Sequence, residues 1–233
     1  MGDTPLKIRA SMAGVMLTEP KAKADKEAGK LAKTVETYVR ELWLKNEFGY
    51  VEKVLSKEML KGLLCQDDSF GLIHQVLGGE FRIENKIRFE NNYFTGRPDL
   101  VLQKEDFVED AKTSWSLKTF MNADLDPMYY WQGQVYMDLT GKRNFRLCYC
   151  LVPTPEELVS DEESRAFYRF GNDTENKHYL EISQQIRHNN DLILKIAPEK
   201  RIKVFTFQYD KSDIERLYAQ IEKARIYYDS LVL

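Results

Sequence analysis

Gly96-Arg97-Pro98-Asp99 closes one apolar segment of this chain, Lys104-Glu105-Asp106 makes a turn, and Val108-Glu109-Asp110-Ala111-Lys112 forms the next segment. Side chains two apart on a strand share a face, so Asp110 and Lys112 project together while Ala111 points away. If the two segments pair as a hairpin, Asp99 lies beside Asp110, and two carboxylates and an ammonium converge on one spot. Hard oxygen ligands of this kind suit Mg²⁺, and a lysine beside the metal can orient or deprotonate a water. That is the chemistry of phosphodiester hydrolysis. The same residues also allow a plain turn at Pro98-Asp99 and a solvated Asp–Lys pair on a strand.

Working outward, Asp126-Pro127-Met128-Tyr129-Tyr130-Trp131-Gln132-Gly133-Gln134-Val135-Tyr136-Met137 follows. Asp126 is an expected N-cap with Pro127 at the first helical position, so a helix starts here. Gln132 and Tyr136 are four apart and share a face of it. Tyr129, Trp131 and Tyr136 read as core aromatics, whereas packing alone does not ask for Gln132. Upstream, Lys7-Ile8-Arg9-Ala10-Ser11 opens the chain as a short strand, either solvated or anion-binding.

Pro98-Asp99 with Asp110-Ala111-Lys112 resembles the signature of the PD-(D/E)XK nuclease superfamily, and Gln-x-x-x-Tyr on the following helix resembles its RecB-like branch. Arg9-x-Ser11 is similar to the segment that opens many lambda-exonuclease-like phage recombination exonucleases. The resemblance runs from Arg9 to Met137. It implies Asp99, Asp110 and Lys112 as catalytic residues. It implies one or two Mg²⁺ or Mn²⁺ ions held by Asp99, Asp110 and the carbonyl of Ala111. It further implies Gln132 and Tyr136 on the nucleic-acid backbone, and Arg9 and Ser11 on a DNA-end phosphate. Also implied are a duplex DNA substrate with a free end, a single-strand annealing recombinase as partner, a trimeric ring, and a phage-encoded protein in the host cytoplasm.

One position departs from the pattern. The family supplies a further acid from a helix ahead of the hairpin, here expected over Lys57–Leu77. Gly62, Gln66, Phe70, Ile73 and Leu77 fall at helical spacing on one apolar face of it. The inward polar residue is Gln66, with Asp67 and Asp68 turned about 100° and 200° away. Either Gln66 fills the ligand position as a neutral oxygen donor, which holds Mg²⁺ less strongly than a carboxylate, or the register of this helix is shifted by one or two residues. His74, one turn on, reads as a surface histidine.

The chain has 233 residues, 43% hydrophobic and 30% charged, which suits a single domain with a sizeable core. No apolar run reaches a membrane span and no signal peptide opens it, so a cytoplasmic protein is expected. Three cysteines, Cys65, Cys148 and Cys150, cannot complete a four-cysteine iron–sulfur cluster, so none is expected. The net charge of −3 argues against a protein that coats DNA generically. Lys21, Lys23, Lys26, Lys30 and Lys33 form a basic run, either tracking a DNA backbone or simply solvated.

The expected architecture is α/β, a restriction-endonuclease-like core with a mixed central β-sheet flanked by helices, in one domain over 1–233. Residues 1–30 form a partly extended N-terminal segment and 156–200 a peripheral helical insertion. Strands are expected at Phe81–Glu90, Tyr93–Leu102, Phe107–Lys112, Phe145–Val152 and Arg201–Tyr209, the last followed by a helix opened by Ser212-Asp213-Ile214-Glu215 as a capping box. The leading functional expectation is a metal-dependent exonuclease. Its rivals are a DNA-binding pseudonuclease disabled at Gln66, a RecB-like endonuclease, and an interaction protein with no DNA role.

Overall fold

The computed structural model describes residues 5–52 and 54–233, so residues 1–4 of the N-terminal segment and Lys53 lie outside the described residues. Strand β1 (Ile8–Arg9) leads into helices α1 (Ala13–Met16), α2 (Lys23–Glu27) and α3 (Lys33–Phe48). Helices α4 (Lys57–Leu64) and α5 (Gln66–Leu77) precede strands β2 (Phe89–Glu90), β3 (Phe94–Gly96), β4 (Leu100–Val101) and β5 (Phe107–Thr113). There follow α6 (Leu117–Met121), α7 (Pro127–Thr140), β6 (Asn144–Cys150), α8 (Glu156–Arg169), α9 (Lys177–Lys195), β7 (Ile202–Gln208) and α10 (Lys211–Asp229).

The mixed α/β architecture is as expected, but its strands form two sheets, ordered β1-β3-β2 and β4-β5-β6-β7. The segment expected as one strand over Tyr93–Leu102 is cut at Arg97-Pro98-Asp99, and its halves belong to different sheets. Pro98 has no N–H to give to a ladder, which makes it a natural point for the chain to change sheets. In the larger sheet β4 and β5 run antiparallel, β5 and β6 parallel, and β6 and β7 antiparallel. Strand β6 therefore sits between two partners. Its Phe145 and Leu147 enter one apolar core and its Cys148 and Cys150 another, as a strand buried on both faces requires.

Helix α7 covers one face of this sheet and packs against α1 and α10, while α5 covers the other. Asp126 caps α7 by accepting from the Met128 N–H at 2.7 Å, and Pro127 stands at its start, as the sequence predicts. Helix α3 buries Val35, Tyr38, Val39 and Leu42 along one face. Helices α8 and α9 pack on one another and bury Leu158, Val159, Ala166 and Ile193.

Three local expectations are corrected. The helix read over Lys57–Leu77 is broken at buried Cys65, whose thiol donates to the Pro153 carbonyl at 3.5 Å. The strand read over Phe81–Glu90 is regular only at Phe89–Glu90. Its alternation is inverted: Phe81, Ile83 and Ile87 are exposed, and Arg82 turns inward to a buried carboxylate. Finally, α10 is capped by Asp210, which accepts from the Ser212 and Asp213 N–H groups, and not by a box starting at Ser212.

Candidate active site

The antiparallel register pairs Leu100 with Glu109, and one further step sets Asp99 opposite Asp110. Asp99 Oδ2 accepts a hydrogen bond from the Ala111 N–H at 3.0 Å. The N–H and C=O of one strand residue point to the same edge, so the Ala111 carbonyl also opens toward Asp99. Asp110 is buried, and Lys112 contacts its Oδ2 from two residues along the strand. Oδ2 is shut away from solvent, and the Lys112 ammonium is its partner there. Two carboxylates, one ammonium and one carbonyl thus meet where the two sheets join.

Their electrostatics follow from burial. Desolvation, and then the neighbouring Asp110 carboxylate, push Asp99 up to about 7, against the opposing pull of Lys112 and of the Ala111 N–H. Burial alone disfavours a charge on Lys112, but Asp110 and Asp99 outweigh it and hold its ammonium above the ordinary lysine range. The Lys112 ammonium also lies 4.7 Å from the centre of the Tyr129 ring.

The other face of β5 is just as strongly built. Glu109 is fully buried and accepts from Arg82 Nε at 3.0 Å and Nη2 at 3.1 Å, and it pairs with Arg146. Arg82 also donates to the Glu80 carbonyl at 2.8 Å. Alternation along Glu109-Asp110 thus sends one acid into a structural clamp and the next into the site.

Asp99, Ala111, Lys112 and Gln66 line a cleft of about 610 Å³, together with Glu58, Arg97, Trp115 and Tyr149. Gln66 keeps its inward direction across the helix break. Among the described residues, no three His, Cys, Asp or Glu side chains gather as a metal cluster; Asp99 and Asp110 are the paired acids, and Glu58 lines the cleft without joining them. The oxygens still fit a hard cation. Asp110 is buried, Asp99 is destabilised as an anion by burial and then by Asp110, and the Ala111 carbonyl and Gln66 add neutral oxygens.

Arg9 and Ser11 lie outside this cleft, in a smaller cavity of about 210 Å³ with Arg88, Thr95, Gly96, Arg97 and Tyr136. Parallel pairing of β1 with β3 sets Arg9 beside Thr95. Arg97 lines both cavities and joins them. Gln132 and Tyr136 are both buried and bonded to each other, Gln132 Nε2 donating to the Tyr136 hydroxyl at 2.9 Å. That hydroxyl in turn donates to the Arg97 carbonyl at 3.3 Å. The Gln–Tyr motif therefore grips the loop that carries Arg97 and Asp99. Gly96 permits this, since a Cβ there would stand 2.8 Å from the Tyr136 ring. His74 packs edge-on against Phe81 at 5.1 Å, away from both cavities.

Sequence reasoning did not single out Arg88, Trp115, Tyr129 as a cation partner, or Arg97 as more than a spacer. Arg97 stands inside the motif itself and was legible there. Arg88 was hidden in a segment read as a regular strand.

The fold resembles that of exonucleases of the lambda-exonuclease-like kind, as the motif led one to expect. The chain is similar to a phage related exonuclease from Haemophilus somnus 129PT at 27% identity and a TM-score of 0.75, over 97% of this chain and 94% of that one. It shares its fold with an alkaline exonuclease from Laribacter hongkongensis at 13% identity and a TM-score of 0.60, over 96% and 88%. A second structure of that alkaline exonuclease, in complex with dAMP, gives 12% identity and the same TM-score. No family model matches the sequence, and no curated protein matches it significantly.

Proposed function

We propose that this protein is a metal-dependent exonuclease that hydrolyses phosphodiester bonds from the ends of duplex DNA. The observation that carries the reading is the meeting of Asp99, Asp110, the Ala111 carbonyl and Lys112 in a cleft joined through Arg97 to an arginine-lined pocket. Exonucleases of similar fold, one of them with dAMP, support it.

In this reading Asp99, Asp110, the Ala111 carbonyl and Gln66 hold one or two Mg²⁺ or Mn²⁺ ions. Such ions supply charge against the phosphate and lower the pKa of a bound water. Lys112 enters as an ammonium fixed by both acids and donates to the attacking water or a phosphate oxygen. Water attacks phosphorus, the P–O bond to the leaving nucleotide breaks, and the departing oxygen takes up a proton. Arg9, Ser11, Arg88 and Arg97 receive the phosphate at the DNA end, as a cluster of guanidinium forks suits. Gln132 and Tyr136 position the Arg97–Asp99 loop from beneath, and through it the backbone. A trimeric ring and an annealing partner belong to this reading by resemblance.

A second reading is favoured by the acid count: with Gln66 where a carboxylate is expected, the chain binds DNA ends and cuts weakly or not at all. One assay separates the two. An end-labelled linear duplex and a closed circle are incubated with Mg²⁺ or Mn²⁺, with Lys112→Ala as control. Progressive loss of the linear DNA alone, abolished in the variant, is expected. Cutting of the circle points instead to an endonuclease. If nothing is cut and Gln66→Glu restores cutting, the chain is a disabled nuclease.

A further inference from the structure

Beside the catalytic cleft lies a second cavity, of about 580 Å³, walled by α6, α8 and α9. Trp115, three residues beyond Lys112, is a wall of both. Its position is over-determined. The Lys61 ammonium is fully buried and donates to the Ser114 and Trp115 carbonyls, each at 3.0 Å. Lys57 Nζ stands 4.6 Å from the centre of the indole ring and is itself bonded to Glu162 at 3.0 Å. Lys57 and Lys61 are four apart on α4, so both approach from one side. The rest of the half-buried indole is left to the two cavities. Beyond it the second cavity offers apolar walls at Met121, Leu158 and Ile193, with the polar tips of Lys118 and Asn189 among its lining.

An aromatic plane held this firmly beside a phosphodiester site has the properties of a stacking platform, because every nucleobase presents a π-face whatever its sequence. We propose that this cavity receives the base of the nucleotide whose phosphate lies in the catalytic cleft, stacked on Trp115. The proposal rests on the nuclease reading for its substrate. Continuity of the two cavities through one side chain selects the occupant, since the aromatic group nearest a bound phosphate is the base carried on its own deoxyribose. Lys118 and Asn189 supply a cation for phosphate oxygens and an amide for base edges, without demanding one base.

Two measurements test it. In steady-state digestion of linear duplex, Trp115→Leu is expected to raise KM roughly tenfold, as loss of a base–aromatic stack does. Its kcat should stay within about threefold, and Trp115→Phe should restore most of KM. In the Trp43→Phe/Trp131→Phe protein, whose single tryptophan is Trp115, a deoxynucleoside 5′-monophosphate is expected to quench fluorescence saturably. Deoxyribose 5-phosphate, which lacks the base, should not. Equal losses in the Leu and Phe variants, or no quenching, overturn the proposal; an unchanged KM without quenching leaves the cavity to an apolar side chain of a protein partner. If the wild type cuts no DNA, the nuclease reading falls by itself, and the fluorescence titration still decides the base site.

Discussion

At the scale of single residues, the chemistry is concentrated in a carboxylate that does not want its charge. Asp99 is pushed up to about 7 from an ordinary 3.8, so between these values the folded chain holds a proton that the unfolded chain has lost. Stability of the metal-free protein is therefore expected to fall as pH rises through the window from about 4 to about 7, and Asp99→Asn should flatten that slope. Thermal melts across the window measure it. Added Mg²⁺ should raise the melting temperature more at pH 8 than at pH 5.5, because at the lower pH the cation must first displace the proton. Equal gains at both would disprove the pairing of these acids at a cation site. Gln66 makes a complementary prediction: Gln66→Glu supplies a third acid and should tighten Mg²⁺ binding roughly tenfold by calorimetry. Unchanged affinity would place Gln66 outside the ligand set.

At the scale of elements, strand β5 is fixed from both faces before any ligand arrives. The clamp of Arg82 and Arg146 on Glu109 is a buried ion cluster, whose disruption by removal of one partner costs about 3–5 kcal/mol. Arg82→Met should lose about that much in urea unfolding, and the double variant Arg82→Met/Glu109→Leu should recover a substantial part. No recovery would show that Arg82 acts through its other contacts, with the Gly78 and Glu80 carbonyls. The motif on this strand was legible because i, i+2 alternation needs only the local backbone. So were α7, from Asp126-Pro127, and the stop of α5, where Gly78 and Gly79 adopt positive φ. The break at Cys65 and the change of sheet at Arg97-Pro98-Asp99 were not, because both depend on contacts with distant residues. Phe81–Glu90 misled for a related reason. Its alternation was real, but the partner that chose its inward face was Glu109, on another strand. Within the site, Asp99, Asp110, Lys112 and Gln66 could be read in sequence, whereas Arg88, just ahead of β2, joined Arg9 through β3, which pairs with both β1 and β2.

At the scale of the whole molecule, a net charge of −3 coexists with a local gathering of cations. Arg9, Arg88 and Arg97 gather on one small cavity although they come from three separate segments. Binding of a 5′-phosphorylated duplex end should weaken as salt rises, and each of Arg9→Ala and Arg88→Ala should lower the log–log slope by about 0.9. Slopes unchanged from wild type would remove these arginines from the DNA contact. Arg97 has a further consequence, because it reaches the arginine-lined pocket while Asp99, one rigid residue away, lines only the cleft. If the chain is the proposed exonuclease, the grip on a DNA end and the point of scission are thereby held at a fixed spacing, like two marks on a ruler. In that reading, inserting a single glycine after Arg97 should shift one mark against the other and change the size of the fragment released at each turnover, which gel analysis of the digestion products measures.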